Sequence, residues 1–284
     1  MVGPMALPLP TSLSPSKVST FKDCALAFRF SAIDRLPEPT SIPAVKGTTV
    51  HRALELLLLD PPADRTPERA QEHLLTALDE IRADAEYLSL EITPEEELAF
   101  AADASVMIER YFQLEDPRRI APIGLELMLT TELGSTTIRG IIDRLELDSN
   151  GEFIVTDYKT GRAPSERQEQ ARLGGVHFYA FLCERVLGKR PAKIQLVYLG
   201  KEPQVISVVP TAQSTRGLEK RLGAIWTAVE KACENEDFRP KPSALCSWCS
   251  FKAFCPAFGG KPEEAQMLYV RPGPQQTLDL AAGA

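Results

Sequence analysis

The sequence has no apolar run near the roughly 18 residues that a membrane-spanning helix needs. The strongest candidate, Ala53–Leu59, is short and contains Glu55. The first ten residues hold three prolines and no basic residue, unlike a secretory signal. We therefore expect a cytoplasmic protein that has no membrane partner.

The sequence also lacks an excess of basic residues: 32 Lys and Arg stand against 39 Asp and Glu, a formal net charge of −7. Net charge thus gives no sign of nucleic-acid binding, but it does not exclude it, because a few well-placed Lys and Arg make the phosphate contacts. A G-x-x-x-x-G-K-S/T motif is missing as well. If the protein acts on DNA, any unwinding would therefore need a helicase partner.

The periodicity of the chain changes from helical to strand-like and back, which predicts a mixed α/β or α+β fold. Residues 1–16 are expected to be a flexible lead-in, 17–260 a single domain and 261–284 a flexible tail. The predicted helices are Ser19–Phe30, Thr48–Leu59, Pro67–Ala85, Pro94–Leu114, Glu166–Leu187 and Gln213–Asn235. The predicted strands are Leu125–Glu132, Thr136–Leu147 and Glu152–Tyr158, forming an antiparallel meander, followed by Lys193–Leu199 and Gln204–Val209.

Two carboxylates and a lysine stand in neighbouring predicted strands, in Gly140-Ile-Ile-Asp143 and Val155-Thr-Asp157-Tyr-Lys159. Alternate strand residues share a face, so Asp157 and Lys159 end an otherwise apolar face. Burying such charges costs free energy unless they are used. A two-residue Asn150-Gly151 loop would put Asp143 on the other face. A three-residue loop with Gly151 left-handed puts it opposite Asp157, and we predict the second loop.

Paired carboxylates repel one another and so favour Mg²⁺ or Mn²⁺, which activate water for phosphoryl chemistry. A neighbouring lysine can orient that water or stabilise the transition state. A surface hairpin with ordinary salt bridges is the alternative, since the D-x-K pattern is short.

These residues resemble the PD-(D/E)xK nucleases, in particular the RecB-type exonucleases and the CRISPR-associated exonucleases of spacer acquisition. That family has a helix with a histidine ligand, then G-x-x-D, D/E-x-K, and a helix with Q-x-x-x-Y. The matching residues are His51 in Gly47-Thr-Thr-Val-His51, then Asp143, Asp157, Lys159 and Tyr179. Gly175 departs from the family, which usually has Gln four residues before the tyrosine.

The resemblance covers residues 17–258 and implies a restriction-endonuclease-like core with a mixed sheet flanked by helices. It implies a Mg²⁺- or Mn²⁺-dependent deoxyribonuclease in which His51, Asp143 and Asp157 hold the metal. Lys159 would act on the water and the scissile phosphate, and Tyr179 would lie near the DNA backbone. The rivals are a catalytically silent DNA-end-binding subunit of a helicase–nuclease complex and a zinc-bound adaptor.

Four of the residues near the predicted site need separate interpretation. A single histidine near a helix start is more often a packed or capping residue, but the order of His51 before Asp143 and Asp157 favours a metal ligand. Glu126 could hold the metal or pair with an arginine, and we rank it below the others. Arg139 and Arg144 flank Asp143 and are treated as surface residues.

The six cysteines fall into two groups. Cys246, Cys249 and Cys255 form a C-x₂-C-x₅-C cluster, and Cys24 stands alone near the N-terminus. Such clusters bind metal, with tetrahedral zinc one alternative. One remote and three local cysteines resemble the 4Fe–4S arrangement of the same nuclease branch, so we predict a structural 4Fe–4S cluster joining the two ends. Cys183 and Cys233 are expected in the core.

The segment Gln275–Leu280 resembles the Q-x-x-L-x-L peptide by which bacterial DNA enzymes bind the replication sliding clamp. We predict clamp binding, with a disordered polar tail as the alternative.

Overall fold

A computed structural model describes residues 7–164 and 166–268, without the side chains of 166–174 and 266–268. Its sheet has five strands in the order β1-β2-β3-β4-β5, and the pairs are antiparallel except β3 with β4, which is parallel. The strands are β1 Pro122–Leu133, β2 Thr136–Leu147, β3 Phe153–Lys159, β4 Lys193–Tyr198 and β5 Gln204–Val208. The predicted meander over the first three strands is confirmed, with β1 longer at both ends.

The β2–β3 hairpin has the register predicted from the three-residue loop. Arg144 pairs with Thr156, and the pairing continues to the turn, where the Asp148 amide donates to the Glu152 carbonyl. Gly151 has φ +74°, the left-handed conformation that this loop requires. The register therefore directs Asp143 and Asp157 towards each other.

The helices are α1 Pro15–Asp23, α2 Ala25–Phe28, α3 Ile42–Leu59, α4 Pro67–Arg82, α5 Ala85–Leu88, α6 Pro94–Leu114, α7 Glu166–Val186, α8 Ala212–Asn235 and α9 Pro262–Leu268. The predicted helices occur in the expected order, but Ser19–Phe30 is divided at Cys24 into two helices, and α5 and α9 were not predicted. α4 and α6 start where predicted, because Thr66 and Thr93 cap them ahead of a proline. None of the helices in the described ranges is long and apolar enough to cross a membrane.

The prediction that a helix starts at Thr48 is wrong, because α3 starts six residues earlier. The Ser41 side chain caps it by accepting a hydrogen bond from the Ala44 amide. Gly47, which directly precedes the predicted start, lies inside the helix, where a Cβ atom would come within 3.2 Å of the Thr160 hydroxyl. The glycine thus allows α3 to approach the end of β3 closely.

The chain divides into two compact units. The larger consists of Pro10–Val18 and Pro39–Lys231. Its main apolar core joins helices α3, α4 and α6 to the sheet through Tyr158, Val197 and Leu199. Leu13, predicted to lie in a flexible lead-in, is instead fully buried and pairs with β2 at Ile138.

Within the described residues, the smaller unit is built from segments near both ends of the chain, residues 7–9, Ser19–Glu38 and residues 232–268. Phe30 packs against the rings of Phe251 and Phe254, with centroids 5.3 and 6.4 Å away. The segment predicted as a tail from Lys261 begins with helix α9, in which Ala265 is fully buried.

Candidate metal and catalytic site

The predicted carboxylates meet where the β2–β3 ladder ends. Asp143 lies one residue beyond the last pair of the ladder, Arg144 with Thr156, and its Oδ2 accepts a 2.7 Å hydrogen bond from the Tyr158 amide. Asp157 is 2% exposed; its Oδ1 accepts a 2.7 Å hydrogen bond from the Tyr179 hydroxyl, and its Oδ2 pairs with the Lys159 ammonium. These contacts hold three of the four carboxylate oxygens of Asp143 and Asp157 in defined positions.

Helix α3 brings His51 to the same place. Its Nε2 lies 3.0 Å from the Tyr158 carbonyl oxygen, which can only accept a hydrogen bond, so Nε2 carries the proton. Nδ1 lies 3.5 Å from Asp143 Oδ2. In the neutral imidazole Nδ1 then keeps its lone pair, on the side facing the carboxylate, as a metal-binding histidine requires.

Glu126, which the sequence ranked below the others, completes a group with His51 and Asp143. One ligand atom from each of the three lies within 4.8 Å of the others. Glu126 has φ +44°, a left-handed conformation that is rare for a side chain of this kind, and the β1–β2 register shifts just before it, between Pro122 and Gly124. This strained backbone directs Glu126 towards Asp143.

The carboxylates carry the electrostatic signature of a cation site. Burial, and then the charge of Asp157, raise the pKa of Asp143 to about 6. Burial, and then the charge of Asp143, raise the pKa of Glu126 to about 7. Negative charges are thus held together at a cost that a divalent cation would relieve, and one imidazole nitrogen with carboxylate oxygens suits Mg²⁺ or Mn²⁺.

Lys159 remains a cation beside this group. Desolvation lowers its pKa, but the charge of Asp157 and the hydrogen bond to it outweigh that effect, so the pKa is raised overall. The ammonium can therefore donate hydrogen bonds to anionic oxygens and hold a proton at neutral pH.

Arg144, treated as a surface residue from the sequence, is fully buried on the other side of β2. Its guanidinium donates two 2.8 Å hydrogen bonds to Glu115 and one of 2.6 Å to the Tyr158 hydroxyl. It also lies 3.2 Å from Glu146. The burial of Arg144 could have been predicted from the sequence, because Arg144 lies on the same face of the strand as Ile138 and Ile142.

Helix α7 carries Tyr179 and packs closely on β2. A Cβ atom at Gly140 would come within 2.8 Å of Leu182, so the glycine of the G-x-x-D motif makes room for the helix. Gly175, where the family pattern has Gln, is exposed, and a Cβ atom there would meet nothing within 4 Å. The hydroxyl of Tyr179 is engaged with Asp157, and its predicted contact with DNA stays a prediction.

The smaller unit brings the four predicted cluster cysteines together. Cys24, Cys246, Cys249 and Cys255 line one cavity of about 230 Å³. Burial raises the pKa of Cys249, and the charges of the other three raise it further. The remaining cysteines, Cys183 and Cys233, are buried as expected.

The cysteine site suits either of the two metal groups considered from the sequence. Four thiolates can hold a tetrahedral zinc ion or a 4Fe–4S cluster, and the cavity that the four cysteines line is consistent with both.

Comparison with known proteins agrees with this geometry. The family model of the PD-(D/E)XK nuclease superfamily matches residues 12–256. Gene 69 protein of Mycobacterium phage L5 is 30% identical over 138 residues, 47% of this chain and 44% of that protein, so the match spans less than half of the relative.

Two solved structures are also similar. The crystal structure of a candidate exonuclease from Eubacterium rectale has a TM-score of 0.53 at 14% identity and covers 96% of this chain and 94% of that chain. This likeness shows the fold, and the expected restriction-endonuclease-like architecture is confirmed. The structure of SSO0001, with a TM-score of 0.39 at 15% identity over 75% of this chain and 94% of that chain, is too distant to support an argument.

Proposed function

The chain belongs to the PD-(D/E)XK nuclease superfamily, and on that premise we propose that it is a divalent-metal-dependent deoxyribonuclease that degrades DNA from its ends. The observation that carries the proposal is the group of His51, Glu126 and Asp143 within 4.8 Å, next to the Asp157–Lys159 ion pair. A silent family member would have no need to keep mutually repelling carboxylates and a lysine together.

His51, Asp143 and Asp157 remain the proposed metal ligands, and Glu126 joins them. When bound, Mg²⁺ or Mn²⁺ lowers the pKa of a coordinated water and neutralises charge on the phosphoryl group. The Tyr158 carbonyl keeps the His51 proton on Nε2, and the Tyr158 amide holds Asp143 in place. The protein thus preorganises the donor atoms before the metal arrives.

Lys159 is proposed to orient the attacking water and to stabilise negative charge on the scissile phosphate. Its raised pKa keeps it protonated at neutral pH, which suits hydrogen-bond donation rather than proton abstraction. Tyr179, through its hydrogen bond to Asp157, fixes the carboxylate that faces this lysine.

The test is degradation of end-labelled single- and double-stranded DNA with Mg²⁺ or Mn²⁺ by anaerobically purified protein. Asp157→Ala and Lys159→Ala should abolish activity. Lys189→Ala, which removes a lysine paired with Glu152 at the β2–β3 turn, should leave it unchanged. A covalently closed circular DNA has no ends and should not be degraded. Its cleavage would show that the protein is an endonuclease instead of an exonuclease. No degradation by wild-type protein with its cysteine site loaded would favour the silent DNA-end-binding subunit.

The cysteines are proposed to hold a 4Fe–4S cluster of structural role. Iron analysis of anaerobically purified protein should give about four iron atoms per chain and little zinc. One zinc atom per chain and no iron would show that the cysteines hold zinc and would contradict the proposed cluster.

Gln275–Leu280 lies outside the described residues, and its binding to the sliding clamp stays a prediction. Purified clamp should retain the wild-type protein and lose a Leu278→Ala, Leu280→Ala variant. Equal retention of the wild type and the variant would contradict clamp binding through this segment.

A further inference from the structure

Tyr158 lies between Asp157 and Lys159, and its backbone contacts two of the proposed ligands. Its amide donates to Asp143 at 2.7 Å, and its carbonyl accepts from His51 at 3.0 Å. The placement of one backbone segment therefore sets the placement of two side chains that belong to different elements.

The β2–β3 ladder does not itself fix that segment. Its last backbone pair is Arg144 with Thr156, one residue short of the carboxylates on both strands. Beyond this pair, the Tyr158 amide turns to the side chain of Asp143 instead of to β2 backbone. On its other edge β3 stays paired with β4 through Asp157, Tyr158 and Lys159, so only the separation of β3 from β2 at the site needs a further contact.

That contact lies on the opposite face, because strand side chains alternate. The Tyr158 hydroxyl accepts a 2.6 Å hydrogen bond from Arg144, whose guanidinium lies 5.6 Å from the Tyr158 ring centroid. Arg144 is in turn held by both oxygens of Glu115, and Gln195 links Glu115 to Thr156 at 3.2 and 3.1 Å. The network is anchored in β2, β3, β4 and the end of α6.

Such a network is a poor way to gain stability. Arg144 is fully buried, and desolvation of buried ions offsets much of their mutual attraction. An apolar pair would fill the same space without that cost, whereas directional hydrogen bonds fix position. We propose that Arg144 and the Tyr158 hydroxyl are positioning residues for the metal site and that they set the affinity for the metal without touching it; this rests on the proposed function.

The experiment compares Mn²⁺ binding, by calorimetry or electron paramagnetic resonance, in wild type and Tyr158→Phe. This variant removes the hydroxyl and leaves the ring and backbone in place. We expect about tenfold weaker Mn²⁺ binding, as for other residues that orient ligands. Nuclease turnover should recover at saturating Mn²⁺, and the Tyr158 amide should exchange its hydrogen faster in the metal-free protein.

Tyr87→Phe is the matched control. Tyr87 is another buried tyrosine of the same core, and its hydroxyl lies near the Glu97–Arg82 ion pair. Both variants should lower the melting temperature, but only Tyr158→Phe should weaken Mn²⁺ binding. Arg144→Met should weaken Mn²⁺ binding more strongly, but it leaves Glu115 unpaired and can prevent folding. The test of the proposal is therefore the Tyr158→Phe variant.

Wild-type affinity in Tyr158→Phe, with a lowered melting temperature, would overturn the positioning role and leave a purely structural network. Wild-type protein that binds Mn²⁺ but cleaves no DNA would overturn the proposed function. The positioning role would still be tested by the difference in Mn²⁺ affinity between wild type and Tyr158→Phe. Wild-type protein that binds no Mn²⁺ would overturn both.

Discussion

Replacing Asp143 by asparagine should stabilise the metal-free protein while it destroys the proposed metal site. Burial and the neighbouring Asp157 raise the pKa of Asp143 from 3.8 to about 6. A carboxyl group with a raised pKa in the folded state penalises folding once it ionises. The penalty is absent below the unfolded pKa of 3.8, grows as the pH rises, and is complete above about 6. Asparagine keeps the shape, and its oxygen can still accept the Tyr158 hydrogen bond.

The size of the effect follows from the shift. A difference of about two pH units, at about 1.4 kcal/mol per unit, gives about 3 kcal/mol at pH 8. At pH 5 the same relation leaves about half of it. For a unit of this size, about 3 kcal/mol corresponds to a rise in melting temperature of roughly 6–12 °C.

The assay is thermal unfolding in chelator, under anaerobic conditions, at pH 5 and pH 8. Adding Mn²⁺ should raise the melting temperature of the wild type more than that of Asp143→Asn, because the variant has lost a charged ligand. Asp148→Asn is the control of opposite sign. The Glu152 and Asn150 amides donate to Asp148 and lower its pKa, so its replacement should give no stabilisation.

Two results would refute the reasoning. Asp143→Asn could prove no more stable than wild type at pH 8, which would mean that the carboxylate is not destabilised where it lies. A gain of the same size at pH 5 and pH 8 would show that the stabilisation does not come from the charge of Asp143.

Three further predictions concern other parts of the chain. Cys24→Ser should lose the visible absorption and most of the iron, whereas Cys183→Ser, which removes a core thiol, should keep both; equal iron in the two would exclude Cys24 as a ligand. Gly140→Ala should lower stability by about 1–3 kcal/mol in denaturant unfolding, since its methyl group meets Leu182, and an unchanged midpoint would show that the helix shifts freely. Arg65→Met should cost about 3 kcal/mol or more in the same assay, because the buried guanidinium donates to four backbone carbonyls, and a loss under 1 kcal/mol would mean that water replaces it.

The β2–β3 hairpin is an example of what can be predicted from the sequence. Its register depends on one local choice, the length of the loop. Gly151, which is left-handed, suits a two-residue and a three-residue loop alike, so the prediction depended on the second loop placing Asp143 opposite Asp157. The starts of α4 and α6 were likewise predictable from a capping threonine followed by proline. In each case the determining interactions lie within a few residues.

Glu126 and Gly47 show where local reasoning stops. Glu126 reaches the site through a left-handed backbone conformation at a residue that rarely adopts it, and only the surrounding sheet imposes it. Gly47 suggested a helix boundary, but it serves the approach of α3 to Thr160, which is more than a hundred residues away in sequence. Contacts between distant segments decide both, and a single sequence does not display them.

The make-up of the smaller unit has a consequence for biosynthesis. Cys24 leaves the ribosome early, whereas Cys246, Cys249 and Cys255 follow only after more than two hundred further residues. The segment Pro39–Lys231, with every residue of the carboxylate site, is complete before then and can begin to fold during translation. Assembly of the proposed cluster would accordingly be the last step of maturation. A nascent chain that stalls before Cys246 would carry all the proposed metal-binding carboxylates but only one of the four proposed cluster ligands.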